Sequence, residues 1–124
     1  MTDVLIVEPS KDLALIIAQA LARHERSSVI AQTAQAGIEQ ADQKSPRLII
    51  LELLMPKHNG LEFIHELRSY PEWQPIPIII YSQMPPEDLN TTEEILKDMG
   101  IVAHLYKPTA SLEQLVKITE KYLA

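Results

Sequence analysis

The chain has 124 residues, no cysteine, and seventeen acidic against eleven basic side chains, a formal charge of −6. That length fits one domain with a real core, read here as spanning 1–124; the missing cysteines exclude a disulfide framework and thiolate metal sites. The scattered basic residues argue against gripping a nucleic-acid backbone, and no apolar run is long enough for a membrane span or a secretion signal, so the expectation is a cytoplasmic protein.

In chain order, Asp3 to Val7 reads as the first strand, its apolar run Val4 to Val7 stopping at Glu8-Pro9-Ser10. Ser10 can cap a helix from about Lys11 to His24, with Leu13, Ile16, Ile17, Ala20 and Leu21 at helical spacing on one face. Ser27 to Gln32 is a weaker, β-branched run suited to a sheet edge, and an Ala- and Gln-rich helix follows from Thr33 to Gln43, ended by Ser45-Pro46. Leu48 to Leu51 is an unbroken apolar run that meets Glu52, then turns through Met55-Pro56 to Asn59-Gly60 and a third helix, about Leu61 to Tyr70. Five of the nine prolines lie between Pro71 and Pro86 and mark the loops on either side of a fourth run, Ile78 to Tyr81, which stops at Ser82. A helix carrying Ile95, Leu96 and Met99 ends at Gly100, and Val102 to Tyr106 runs into Lys107-Pro108. Ser111 then opens an amphipathic last helix.

Five strands alternating with five helices predict an α/β fold, a doubly wound parallel sheet with helices on both faces. Such sheets gather their sites at the C-terminal strand ends, so Glu8, Glu52, Ser82 and Lys107 are expected to meet at one edge. The turn after the first strand offers no glycine-rich cradle for a dinucleotide or a nucleotide phosphate. The four histidines, His24, His58, His65 and His104, lack metal-ligand spacing, and no Ser/His/Asp order or paired-acid hydrolase motif stands out.

With these residues in place the chain resembles, over its whole length, the receiver domain of two-component response regulators, the CheY-like family. The resemblance lies in Val4-Leu5-Ile6-Val7-Glu8, in Leu51-Glu52-Leu53-Leu54-Met55-Pro56 with Asn59-Gly60, in Tyr81-Ser82, and in Leu105-Tyr106-Lys107-Pro108. It implies a flavodoxin-like (βα)5 sheet of five strands in the order 2-1-3-4-5, and a place in phosphorelay signal transduction as a signalling module rather than an enzyme. In the family the residue at Glu52 is the aspartate that accepts a phosphoryl group; the hydroxyl at Ser82 and the lysine at Lys107 contact its oxygens. Acids at the end of the first strand help hold Mg²⁺, which here leaves Glu8, Glu52 and the Leu54 carbonyl as candidate ligands. Ser82 and His104 occupy the positions of the family's switch pair.

Two departures strike this chemistry. Glu52 carries its carboxylate one methylene, roughly 1.5 Å, further from the backbone than aspartate would. Pro9 replaces the second acid and offers neither a carboxylate nor an N–H. The expectation is a degenerate or pseudo-receiver with weakened Mg²⁺ binding and no certain cofactor. In it Glu52 reaches toward Lys107, and the domain works as a signalling interaction module. Its expected partner is a histidine kinase, an output protein or a second copy, bound through the face from about Asn90 to Ala124, with no direct nucleic-acid or membrane role. The alternative is an active, Mg²⁺-dependent phosphoacceptor using Glu52 or a nearby side chain.

Overall fold

The three central apolar runs are buried throughout, covered on both faces, while the two edge runs are partly exposed. The structure, a computed structural model, describes residues 1–57 and 59–124; His58, one of the four histidines, lies outside the described residues. Strands β1 (Val4–Val7), β2 (Ser28–Ala31), β3 (Leu48–Leu51), β4 (Ile78–Ser82) and β5 (Ile101–Tyr106) alternate with helices α1 (Lys11–Ala22), α2 (Ala34–Lys44), α3 (Gly60–Arg68), α4 (Glu93–Asp98) and α5 (Leu112–Leu123). All neighbouring strands are parallel and lie in the order β2-β1-β3-β4-β5, the flavodoxin-like (βα)5 arrangement expected from the sequence.

Alternate strand residues point to opposite faces, and each set meets its own helices. Leu5, Val7, Ile49, Leu51, Ile78 and Ile80 pack with Ile38 and Ala41 of α2 and Phe63, Ile64 and Leu67 of α3. Val4, Ile6, Leu48, Ile50, Ile79 and Tyr81 pack with Ala14, Ile17 and Leu21 of α1 and Leu115, Val116 and Leu123 of α5. At roughly 1.5–3 kcal/mol for each large apolar side chain fully buried, these two layers are the main source of stability.

The helix starts follow from their caps. Ser10, Thr33, Asn59, Thr92 and Ser111 each accept a hydrogen bond from the amide three residues on, and the Gln114 side chain accepts one from the Ser111 amide in return. The helix ends differ somewhat from the sequence expectation. Helix α1 stops at Ala22 rather than His24, and Glu25 already has φ 59°. Ile16 is exposed, so the buried stripe of α1 is Ala14, Ile17, Ala20 and Leu21 rather than one including Ile16. A 3₁₀ turn at Pro86–Leu89, absent from the sequence reading, precedes α4, which is only six residues long and buries none of them.

Two glycines are required by close approach. A Cβ on Gly60 would lie 2.7 Å from the Leu53 Cα, so only glycine lets α3 start against the loop that leaves β3. Gly100 has φ 76°, and a Cβ there would collide with the Arg68 guanidinium. That guanidinium is a hub: its Nε donates to the Met99 carbonyl at 2.8 Å, and Nη1 and Nη2 donate to the carbonyls of Trp73 and Ile76 at 2.6 Å each. Trp73 is buried within the 3₁₀ turn Pro71–Trp73 and stacked at a tilt on Tyr70.

Candidate functional site

The parallel register carries the four polar strand ends to one place. Val7 of β1 pairs with Leu51 of β3, Leu51 with Ile80 of β4, and Ser82 with Tyr106 of β5. One step further on, Glu8 and Glu52 end adjacent strands, and Lys107 continues the ladder by donating its amide to the Ser82 carbonyl at 2.9 Å.

All four residues are drawn out of water. Glu52 is 3% exposed, Glu8 4%, and Ser82 fully buried. Lys107 Nζ lies between the acids, 2.6 Å from Glu8 Oε1 and 2.7 Å from Glu52 Oε1, and 5.7 Å above the centre of the Tyr81 ring. The other Glu52 oxygen, Oε2, accepts from the Ser82 hydroxyl in a short hydrogen bond and from the Leu54 amide at 2.9 Å. The Gln83 amide adds a bond of 3.1 Å to Oε1. Buried charges survive only when they are paired and hydrogen-bonded, and this centre meets both conditions.

The protonation states follow from the same contacts. Burial pushes the Glu52 carboxyl up, but the Leu54 amide, Lys107, Ser82 and the Gln83 amide outweigh it and hold the pKa below the ordinary carboxylate value. Burial pulls Lys107 down, and its bonds to Glu52 and Glu8 more than reverse this, so its pKa is raised. Both groups therefore stay charged across the neutral range.

One local device recurs at three strand ends. Glu8 Oε2 accepts from the Ser10 amide at 2.9 Å, Glu52 from the Leu54 amide, and Ser82 Oγ from the Met84 amide at 2.9 Å. In each case the partner is the amide two residues on, the turn that acidic and hydroxyl side chains make with their own backbone. The sequence reading missed these partners; the recurring pattern of an acid or hydroxyl at the end of an apolar run was the available signal.

Mg²⁺ requires oxygen donors with free lone pairs and little competing positive charge. Both oxygens of Glu8 and both of Glu52 are already engaged, and an ammonium stands between the two carboxylates. Pro9 supplies no side-chain oxygen, and its carbonyl accepts the Gln32 side-chain amide at 3.1 Å. Leu54 is placed beside the centre through its amide, while its side chain is exposed. Among the described residues, no group of three or more His, Asp or Glu side chains is placed to hold a metal ion. This donor set offers Mg²⁺ a weakened site, in which the ion would have to compete with Lys107 for both carboxylates.

Ser82 and His104 are joined through one residue, Met84. The Met84 amide donates to Ser82 Oγ, and the Met84 carbonyl accepts from His104 Nε2 at 2.8 Å. The other described histidines lie away from the centre: His24 is exposed with Nδ1 3.4 Å from Glu120, and His65 is exposed on α3.

A family model described as the response regulator receiver domain matches residues 4–120. The KDP operon transcriptional regulatory protein KdpE of Escherichia coli (strain K12) is 34% identical over 108 residues, 87% of this chain and 45% of that protein. The response regulator ArlR of Staphylococcus saprophyticus is 33% identical over 122 residues, covering 92% of this chain and 54% of its own length. The chain thus spans about half the length, or less, of these curated relatives. Among solved structures, the chemotaxis response regulator CheY4 of Vibrio cholerae matches with a TM-score of 0.82 at 23% identity over 98% of both chains. A sensor protein from Polaromonas sp. JS666 gives 0.86 at 19% identity, over 98% of this chain and 95% of that one. At such identities these two matches establish the shared fold alone. Among the described residues no helix is long and apolar enough to cross a membrane.

Proposed function

We propose that this chain, which belongs to the response regulator receiver domain family, a signalling module rather than an enzyme, signals through an acidic centre set by its own lysine instead of by phosphoryl transfer. One observation carries this reading. Glu52, at the family's phosphoacceptor position, has both carboxylate oxygens committed to four donors: Leu54 N–H, the Ser82 hydroxyl, Gln83 N–H and the Lys107 ammonium.

A carboxylate nucleophile needs a free lone pair directed at the phosphorus, and charge-assisted hydrogen bonds withdraw both charge and direction from it. Ser82 and Lys107 are also the side chains that would have to turn to an incoming phosphoryl group, and Glu52 already satisfies them. The longer acid brings two acceptor oxygens and a negative charge to those donors, so the domain rests in one arrangement without a donor molecule. The loss of an acid at Pro9 points the same way, since it leaves two carboxylates against one ammonium and so less negative charge for a cation to offset.

The partner reading is a histidine kinase, an output protein or a second copy meeting the face of α4, β5 and α5. Glu93, Glu94, Lys97, Asp98, Lys117 and Lys121 mix both signs there, with Ile95 half exposed, a composition suited to a transient interface.

The test is incubation of the purified domain with a labelled small phosphodonor and Mg²⁺, beside the double variant P9D/E52D. The parent is expected to take up no label, and the double variant, with a shorter acid and a second carboxylate restored, to gain it. Stoichiometric labelling of the parent that vanishes in Glu52→Gln would establish it as a Mg²⁺-dependent phosphoacceptor instead.

A further inference from the structure

We propose that the groove between α1 and α5 is a binding site for a medium-chain carboxylate, its head held by Arg23 and Lys117 and its chain lying along Ile16, Ala20, Leu112 and Val116. None of these residues belongs to the acidic centre, and the proposal stands whether or not Glu52 accepts a phosphoryl group.

The groove follows from helical spacing. Ile16, Ala20 and Arg23 share one stripe of α1, and Leu112, Val116 and Glu120 share one stripe of α5, with Glu113 and Lys117 beside it. Ala20 and Val116 are buried in the layer beneath both helices, but their side chains are short, and a cleft of about 590 Å³ remains between the helices, open to water. Small-molecule sites run roughly from 300 to 1,000 Å³. One turn up α1 from Ala20, Ile16 is 48% exposed and extends the apolar track.

The charges around the groove are not balanced by the protein itself. Glu120 is already satisfied: its Oε2 accepts from Arg26 Nε at 2.8 Å, and its Oε1 lies 3.4 Å from His24 Nδ1. Arg23 and Lys117, one on each wall, have no ion-pair partner among the described residues. The remaining acid of the lining is Glu113. Because His24 meets Glu120, Glu113 lies about two turns of α5 away from the Arg23 end, beside Leu112. The last carbonyls of α1 add no open negative charge at that end, since those of Gln19, Leu21 and Ala22 accept the amides of Arg23, His24, Arg26 and Glu25.

An apolar track with unpaired positive charge at one end selects a molecule of the reverse layout, an alkyl chain ending in one anionic head. Ile16 to Arg23 spans about 10 Å along α1, the length of an extended chain of about eight carbons. A planar carboxylate can accept from the Arg23 fork while Lys117 supplies a second positive charge. A cationic head would meet two like charges there, and a short acid would leave the apolar track in water.

Sodium decanoate, titrated into the whole chain below the concentration at which it forms micelles and followed by backbone and methyl NMR, tests the site. The methyl signals of Ile16, Ala20, Leu112 and Val116 and the Lys117 amide are expected to shift on one saturating curve, while acetate and decyltrimethylammonium leave them in place. Arg23→Gln and Lys117→Gln, both at exposed positions, are each expected to weaken binding about tenfold, the loss of one charge-assisted hydrogen bond. Ala20→Leu, which fills the cleft, is expected to abolish it. The absence of a saturating shift, equal binding of the cationic amphiphile, or unchanged affinity in the two Gln variants would overturn the proposal. So would shifts of the same residues on concentrating the protein alone, which would assign the groove to a second copy, or on adding phosphatidylglycerol vesicles with decanoate silent, which would assign it to a lipid surface. The two Gln variants decide the matter should Ala20→Leu fold poorly.

Discussion

A buried ion triad and an exposed ion pair sit at opposite ends of the same sheet, and they are built to different ends. At the C-terminal strand ends, the Lys107 side chain is 10% exposed between acids that are 6% and 3% exposed. At the N-terminal ends, Arg47 Nη1 meets Asp3 at 3.1 Å with side chains 41% and 21% exposed, and its Nη2 reaches the Leu123 carbonyl at 2.9 Å. Water screens the second pair, whereas the first must be satisfied wholly by protein. The exposed pair fastens the chain ends; the buried one constrains which groups can be present at all, and that constraint suits a site rather than a seam.

The sharpest way to break the comparison is Lys107→Ala. It leaves two buried carboxylates facing each other and is expected to cost about 3–5 kcal/mol, read from the urea midpoint. Glu52→Gln keeps the size and most of the contacts, loses one charge, and is expected to cost about 1–3 kcal/mol at neutral pH.

That variant also alters the pH profile. Because the folded Glu52 pKa is lowered, its stabilisation is complete above the unfolded value near 4.3 and is lost as pH falls through the lower folded value. Lys107 is raised, so its share is complete below the unfolded value of about 10.4 and is lost as pH rises through the higher folded one. Glu52→Gln should therefore shrink the acid arm of a stability–pH curve measured by thermal unfolding. Asp3, whose pKa is lowered first by the Ser27 amide and also by Arg47, should keep its own part of that arm. The smallest effect belongs to Arg47→Ala: no more than about 1 kcal/mol, fading with added salt. A loss from Arg47→Ala as large as that from Lys107→Ala would erase the distinction between the two ends.

Much of this was legible in the chain. Apolar runs that end at Glu8, Glu52, Ser82 and Lys107 announce both the strands and the edge where they meet, because a strand covered on two faces has to be apolar until it emerges. Less legible was everything supplied by the backbone. The amides of Ser10, Leu54, Gln83 and Met84 and the Met84 carbonyl that holds His104 belong to positions where side-chain identity says little. Arg68 reads as an ordinary charge at a helix end, and only the folded chain brings three carbonyls to its fork. Ile16 lies one helical step, about 100°, from the buried Ile17, at the border of the apolar stripe, and an apolar side chain there reads as core although it is exposed.

The Arg68 fork also fixes where the edge of the molecule can bend. It anchors the Met99 carbonyl beside the left-handed Gly100 and ties that corner to the loop around Trp73 and Ile76, so the C-terminal end of α4 is riveted to α3. The other end leads back through Asn90, itself left-handed at φ 54°, to the 3₁₀ turn of Pro86–Leu89, whose Leu89 is buried in the core. With no buried side chain along its length, α4 is held by its ends, the Arg68 fork at one and the buried Leu89 of the 3₁₀ turn at the other, and the second end is the one that leads back toward Met84.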